Sequence, residues 1–206
     1  MIQGAPNGRG LWYTAIVILM AGNSVRMGCI KALVHVRGRP LLAHVLEAAH
    51  SCAAEQTVLV LGADHVQVCA AVDTGTADVV VNDKPQLGIA SSLATAMRAL
   101  KPCINRVVVL LGDQPNVDAG LVRQILDLQH NTGRVAAAVR SAGVTMPPVV
   151  ITGSFLEVAT QAHGDVGLRS VLRAHPDLVA VLDVDPIAVM DVDAPSDLTA
   201  VEMLDG

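Results

Sequence analysis

The chain has 206 residues, of which 52% are hydrophobic and 16% charged, enough to close one buried core and too apolar for a disordered chain. A net charge of -5 at pH 7 excludes broad electrostatic attraction to nucleic acid or acidic membranes. Trp12, Tyr13 and Phe155 are the only aromatic residues, too few for the stacking platforms of single-strand binding. No uncharged apolar run has the length of a membrane helix. The expectation is a cytoplasmic protein without nucleic-acid or membrane partners, with a flexible extension over 1–13 and a single domain over 14–206. Cys29, Cys52, Cys69 and Cys103 form no C-x-x-C pair and no His cluster, so buried free thiols are expected rather than a zinc or redox site.

The first element is the run Ala15-Ile16-Val17-Ile18-Leu19, β-branched and unbroken, which reads as a fully buried strand. A loop from Met20 to Leu33 follows. Gly22 and Gly28 permit positive φ and leave backbone N–H groups uncovered, and Arg26 and Lys31 add two fixed charges over the same concavity, which suits a run of phosphates. The spacing is neither a P-loop nor a G-x-G-x-x-G turn. The plainer alternative is a strand-to-helix turn with solvated charges.

Leu33-Val34-His35-Val36 reads as a short extended piece ending at Arg37-Gly38, and Pro40 suits the first turn of a helix to about Ser51. The run 57–61 is the next buried strand. Asp64 is an N-cap candidate for a helix to Ala71, and 78–81 is a third strand. The polar turn 82–93 then feeds a helix to about Leu100. Its Asn82, Gly88, Ser91 and Ser92 stand at a strand's carboxyl end and a helix's start, where open α/β sheets bind ligands; simple capping by Ser91 or Ser92 is the alternative.

Arg106-Val107-Val108-Val109-Leu110-Leu111 is the strongest strand pattern, and it delivers Gly112-Asp113-Gln114-Pro115. A carboxylate there is a candidate for Mg²⁺ held against nucleotide phosphates, or else the cap of a turn closed by Pro115. Asp118 opens a helix carrying Leu121, Val122, Ile125, Leu126 and Leu128, and 134–139 resumes the sheet. Met146-Pro147-Pro148-Val149-Val150-Ile151 is expected at a sheet edge or a strand start, because proline cannot donate to a ladder. Helical patterns follow at 154–161 and 166–174, with the turn Gly164-Asp165-Val166-Gly167 between them. Two short apolar pieces, 178–182 and 187–190, lead to Asp191-Val192-Asp193-Ala194-Pro195-Ser196-Asp197 and a last helix. Asp193 and Pro195 read as its start, and Asp191 as a candidate second carboxylate for the metal.

Taken together, the strand followed by L-x-A-G-x-S-x-R-M-G-x-x-K-x-L, the central motif G-D-Q-P and the terminal D-V-D-A-P-x-D resemble the MobA-like nucleotidyltransferase family. The closer resemblance is to its molybdenum cofactor cytidylyltransferase branch, over nearly all of 14–203. It implies a three-layer, Rossmann-like α/β nucleotidyltransferase fold with a mostly parallel central sheet. It also implies an enzyme that transfers CMP from CTP to a molybdopterin-type cofactor, releases pyrophosphate, requires Mg²⁺ and could serve a recipient molybdoenzyme. On that resemblance Ala21, Gly22, Asn23, Ser24 and Gly28 belong to the nucleotide-binding loop, with Arg26 and Lys31 as its catalytic cations. Asn82, Gly88, Ser91 and Ser92 match a second loop lining the nucleotide or acceptor site. Asp113 matches the catalytic, Mg²⁺-binding aspartate, and Asp191 the terminal aspartate motif. Ala21 stands where the GTP-using branch has Gly, which favours cytidine. The sequence departs from the family at Met20 and Asn23, and Met146-Pro147-Pro148 replaces a G-H-P sequence, which leaves the acceptor open. Two other readings are a non-catalytic maturation factor that binds and delivers the cofactor, and an oxidoreductase like the nicotine blue oxidoreductases, whose fold the family resembles.

Overall fold

The computed structural model describes residues 11–22, 28–160 and 167–202. Strand β1 (Thr14–Met20) is followed by a 3₁₀ turn at Lys31–Leu33, the small pair β2 (His35–Val36) and β3 (Arg39–Pro40), and helix α1 (Leu41–His50). Next come β4 (Gln56–Leu61), α2 (His65–Ala71), β5 (Asp78–Val81), α3 (Ile89–Arg98), β6 (Arg106–Leu111) and α4 (Ala119–Thr132). The polypeptide continues through β7 (Ala136–Ser141), β8 (Val144–Thr152), α5 (Ser154–Thr160), α6 (Gly167–Ala174), β9 (Val179–Asp183) and α7 (Pro195–Glu202).

Seven strands form one sheet in the order β5-β4-β1-β6-β8-β7-β9, and only β8 runs against the rest. The period of two along each strand divides the core into two layers. Ile16, Ile18, Leu59, Leu61, Val108 and Leu110 point to the face covered by α1, α2 and α4, where Leu42, Val45, Val68 and Ile125 meet them. Val17, Leu19, Val58, Val60, Val107 and Val109 point to the opposite face, against Leu93 of α3, Phe155 of α5 and Leu172 of α6. Side chains of this kind contribute about 1.5–3 kcal/mol each when fully buried. Runs buried on both faces lack the polar alternation of a half-exposed strand, which is why they read as unbroken apolar sequence.

The sequence 146–151 is not at an edge. It lies inside the sheet between β6 and β7, brought there by the two-residue turn Ala142-Gly143, whose φ of 47° and 79° suit a tight hairpin. The prolines are tolerated because the register breaks there: Ala138 pairs with Val149 but Val139 pairs with Met146, so Pro147 and Pro148 bulge out of the ladder. The β6 ladder also stops at Val149. The cysteines differ from expectation too. They are free, but Cys29, Cys69 and Cys103 are exposed and Cys52 is only half-buried.

Asp118 caps α4 by accepting from the Leu121 amide at 2.7 Å, and Asp64 occupies the N-cap of α2 without a side-chain bond. Pro40 stands at the N-cap of α1 rather than within its first turn. Ahead of β1, the Tyr13 carbonyl accepts from the Asn105 and Arg106 amides, and the Arg106 guanidinium lies 5.2 Å from the Trp12 ring centroid. Trp12 and Tyr13 are therefore tied to the start of β6; the remainder of the expected extension, 1–10, lies outside the described residues. No helix among the described residues is long and apolar enough to cross a membrane.

Candidate functional site

From β1 the fold steps outward to β4 and β5, then returns to β6 on the other side of β1. That reversal opens a crevice at the strands' carboxyl ends, the usual ligand position in a doubly wound sheet. A cavity of about 320 Å³ lies there, lined among others by Ala21, Gly22, Gly88, Ile89, Ser92 and Asp113. The two strand ends are held closely together. Gly112 donates its amide to the Leu19 carbonyl at 2.9 Å, and a Cβ on Gly112 would stand 2.8 Å from both Cβ and Sδ of Met20. Gly112 is thus dictated by the approach of β1, and it sets Asp113 at the cavity.

Lys31 Nζ donates to Asp113 Oδ2 and to Asp193 Oδ1, each at 2.6 Å. Burial pulls the ammonium's pKa down, but Asp113, by charge and hydrogen bond, and Asp193 carry it above the ordinary value. Asp191 is reached by a different route. The segment before α7 crosses the β6–α4 loop, where the Val192 amide donates to the Asp113 carbonyl at 3.0 Å. Val192 and Val201 pack with Val36 and Leu41, fixing the C-terminal segment over the β1–α1 connection. Burial, then repulsion from Asp113, pushes the Asp191 carboxyl up to about 6, against a weaker opposing effect of the Gln114 amide.

Asp113 Oδ1 and Asp191 Oδ1 are both buried with no hydrogen-bond partner. Two carboxylates that repel each other and keep orphaned oxygens fit a divalent cation. Mg²⁺ commonly takes one or two carboxylates and completes its shell with water and substrate phosphates. No group of three or more His, Cys, Asp or Glu residues is placed to hold a metal among the described residues, so the protein's share of such a site is this pair.

The second loop divides into lining and bracing residues. Gly88 and Ser92 line the cavity. Asn82 is buried and donates to Ser91 Oγ at 2.8 Å and Ser92 Oγ at 2.9 Å, while its carbonyl oxygen accepts from the Lys84 amide at 3.0 Å. Ser91 donates back toward the Lys84 and Gly88 carbonyls. Asn82 and Ser91 therefore shape the loop from behind. Gly88, with φ of 85°, takes a backbone conformation that favours glycine, and it is the N-cap of α3 without a side-chain cap. Neither serine caps the helix start, and the Ser91 amide turns back to the Gly88 carbonyl at 3.1 Å.

Of the expected site residues, Ala21, Gly22, Gly88, Ser92 and Asp113 meet at the cavity, and Lys31 and Asp191 stand beside Asp113. Gly28, with φ of 64°, closes the described part of the first loop. Asn23, Ser24 and Arg26, together with most of the turn at 164–167, lie outside the described residues. Asp193 reads in sequence as a helix start, but its carboxylate is spent on Lys31. Asp197 instead accepts from the Asp193 and Ala194 amides at 2.8 and 2.7 Å. The signal for Asp193 is its i, i+2 relation to Asp191 on an extended backbone. Gln114, visible in the sequence only as a member of the G-D-Q-P motif, is fully buried beside Asp113.

A doubly wound α/β protein with a polar crevice at its switch point is the class this fold and site define. The MobA-like NTP transferase domain matches residues 16–179, and the chain belongs to that family. It is 33% identical over 175 residues to the nicotine blue oxidoreductase of Paenarthrobacter nicotinovorans, covering 81% of this chain and 85% of that one. It is 32% identical over 181 residues to the bifunctional protein GlmU of Mycobacterium bovis, covering 84% of this chain but 35% of that one. The chain thus spans about a third or less of the GlmU relatives it matches. Rv0371c of Mycobacterium tuberculosis H37Rv superposes with a TM-score of 0.82 and 28% identity, covering 93% of this chain and 98% of that one. A second structure of Rv0371c, in complex with manganese, gives 0.79 and 26%, covering 93% and 99%.

Proposed function

We infer that the protein is a divalent-metal-dependent nucleotidyltransferase that transfers CMP from CTP to a molybdopterin-type cofactor. The observation that carries this is the convergence of Lys31, Asp113 and Asp191 beside a cavity lined by Ala21, Gly22, Gly88 and Ser92. A terminal phosphate oxygen of the acceptor attacks the α-phosphorus of CTP, and the bond to the β-bridging oxygen breaks, so pyrophosphate leaves. The reaction brings anions together, and positioning with charge neutralisation is what it needs from the protein.

In this reading the first-loop residues Ala21, Gly22, Asn23, Ser24 and Gly28 hold the triphosphate, Lys31 and Arg26 neutralise it, and Asp113 with Asp191 holds Mg²⁺. The metal supplies charge stabilisation at the transferring phosphate. Asn82 and Ser91 support the second loop, while Gly88 and Ser92 face the nucleotide. Family membership and the manganese complex of Rv0371c support metal-assisted nucleotidyl transfer. The choice of CTP rests on Ala21, and the acceptor and recipient molybdoenzyme rest on the resemblance of the motifs.

Pyrophosphate release from CTP and from GTP, with Mg²⁺ and the molybdopterin-type acceptor, tests this. Release from CTP that Asp113→Ala abolishes is expected; silence with both nucleotides overturns it. The similarity to nicotine blue oxidoreductase favours one second reading, an oxidoreductase. Acceptor-dependent oxidation of a reduced nicotinamide by the purified protein would establish it.

A further inference from the structure

Gln114 is 0% exposed, an expensive place for an amide unless its bonds are met. Its Nε2 donates to the Val189 carbonyl at 3.0 Å, while its Oε1 is buried without a partner. Two residues on, Asn116 Nδ2 donates to the Ile187 carbonyl at 2.9 Å, and its Oδ1 accepts from Arg37 Nη2 at 3.0 Å. Arg37 Nη2 also donates to the Pro115 carbonyl at 3.1 Å. With the Val192 amide on the Asp113 carbonyl, residues 113, 114 and 116 bind 192, 189 and 187 in antiparallel fashion. This strap contains Asp191, one residue before its last bond at Val192. A leucine or methionine would fill the Gln114 space without desolvating an amide, but neither could hold the Val189 carbonyl.

We propose that Gln114 and Asn116 are positioning residues, which act through the segment 187–192 to hold the Asp191 carboxylate against Asp113. This rests on the reading of Asp113 and Asp191 as a divalent-metal pair. Both amide nitrogens donate to backbone carbonyls of the segment, so its register is what these bonds fix, and the Gln114 amide also faces the Asp191 carboxyl directly. One slip along that segment would exchange Asp191 for a neighbour on the other side of the backbone. Asn116 joins the same strap to Arg37, so the β2–β3 turn is braced with it.

The test is Mn²⁺ binding, without nucleotide, to full-length wild type, Gln114→Met, Asn116→Ala, Asp191→Asn and the Gln114→Met/Asp191→Asn double variant, followed by electron paramagnetic resonance. Gln114→Met is expected to weaken Mn²⁺ binding about tenfold or more, the size seen when residues orienting a metal ligand are lost, and Asn116→Ala by a smaller factor. Metal-free CTP binding should not change. In the Asp191→Asn background, Gln114→Met should add nothing, a coupling that a merely structural role would not produce. Wild-type Mn²⁺ affinity in both single variants, or an undiminished loss in the Asp191→Asn background, overturns the proposal. Asp191→Asn binding Mn²⁺ as well as wild type overturns the metal pair and the positioning together. Should Gln114→Met fail to fold, Asn116→Ala decides.

Discussion

Lys31 Nζ and Asp113 Oδ2 stand 2.6 Å apart at the carboxyl ends of β1 and β6, joined across 82 positions of sequence. The ammonium holds the carboxylate that the proposed function gives to Mg²⁺, so lysine and metal would share one ligand. Lys31→Ala is therefore expected to act in two directions. Loss of a charge-assisted contact should weaken triphosphate binding by about tenfold or more, and release of Asp113 should tighten Mn²⁺ binding when nucleotide is absent. Calorimetric titration of each ligand separately checks both signs.

Asp113 and Asp191 should separate in their effects on stability. Asp113→Ala removes the proposed metal contact and should lower metal-dependent turnover by about two decades or more, with folding retained. Asp191 carries a charge that burial and Asp113 both disfavour, so Asp191→Asn should raise the melting temperature of the metal-free protein. The same variant should lose most of the further rise that wild type shows when Mg²⁺ or Mn²⁺ is added. Thermal unfolding with and without metal reads both.

Gly112→Ala should be costly although the change is one methyl group. Its Cβ would meet Met20 Cβ and Sδ at 2.8 Å, and overpacking of this kind costs about 1–3 kcal/mol. Met20→Ala removes the sulfur but keeps the Cβ, so the double variant should recover only part of the loss. Urea unfolding of the two single variants and the double measures it.

His44 makes the fold sensitive to pH in its own right. Burial lowers its pKa below the ordinary 6.5, opposed by the Val36 carbonyl 2.9 Å from Nε2 and aided by the nearby Arg37 and Arg39. The unfolded protein then takes up a proton at higher pH than the folded one. This part of the stability is present above 6.5 and is lost as pH falls from there toward the lower folded value. His44→Gln should flatten that decline, as seen in melting temperatures across the range.

The sheet and its two helical layers were legible because the strands at 15–19, 57–61 and 106–111 are apolar on both faces, and because Asp118 caps α4 in place. The reversed strand was not, since the Ala142-Gly143 turn lacks the Asn-Gly or Asp-Gly signature and the prolines argued for an edge. In the site, Lys31 and Asp113 were marked by type and spacing. Asp193 was hidden by its likeness to a helix cap, and Gln114, visible within G-D-Q-P, gave no sign there of its burial against residues some 75 positions away. Such long-range contacts leave no local pattern in sequence.

The most direct measurement is the mass of the molybdopterin-type acceptor after incubation with CTP, Mg²⁺ and the protein. Nucleotidyl transfer predicts an acceptor heavier by one cytidylyl group, with an equal amount of pyrophosphate, and neither product with Asp113→Ala. An acceptor of unchanged mass, in a reaction that instead consumes reduced nicotinamide, would contradict it.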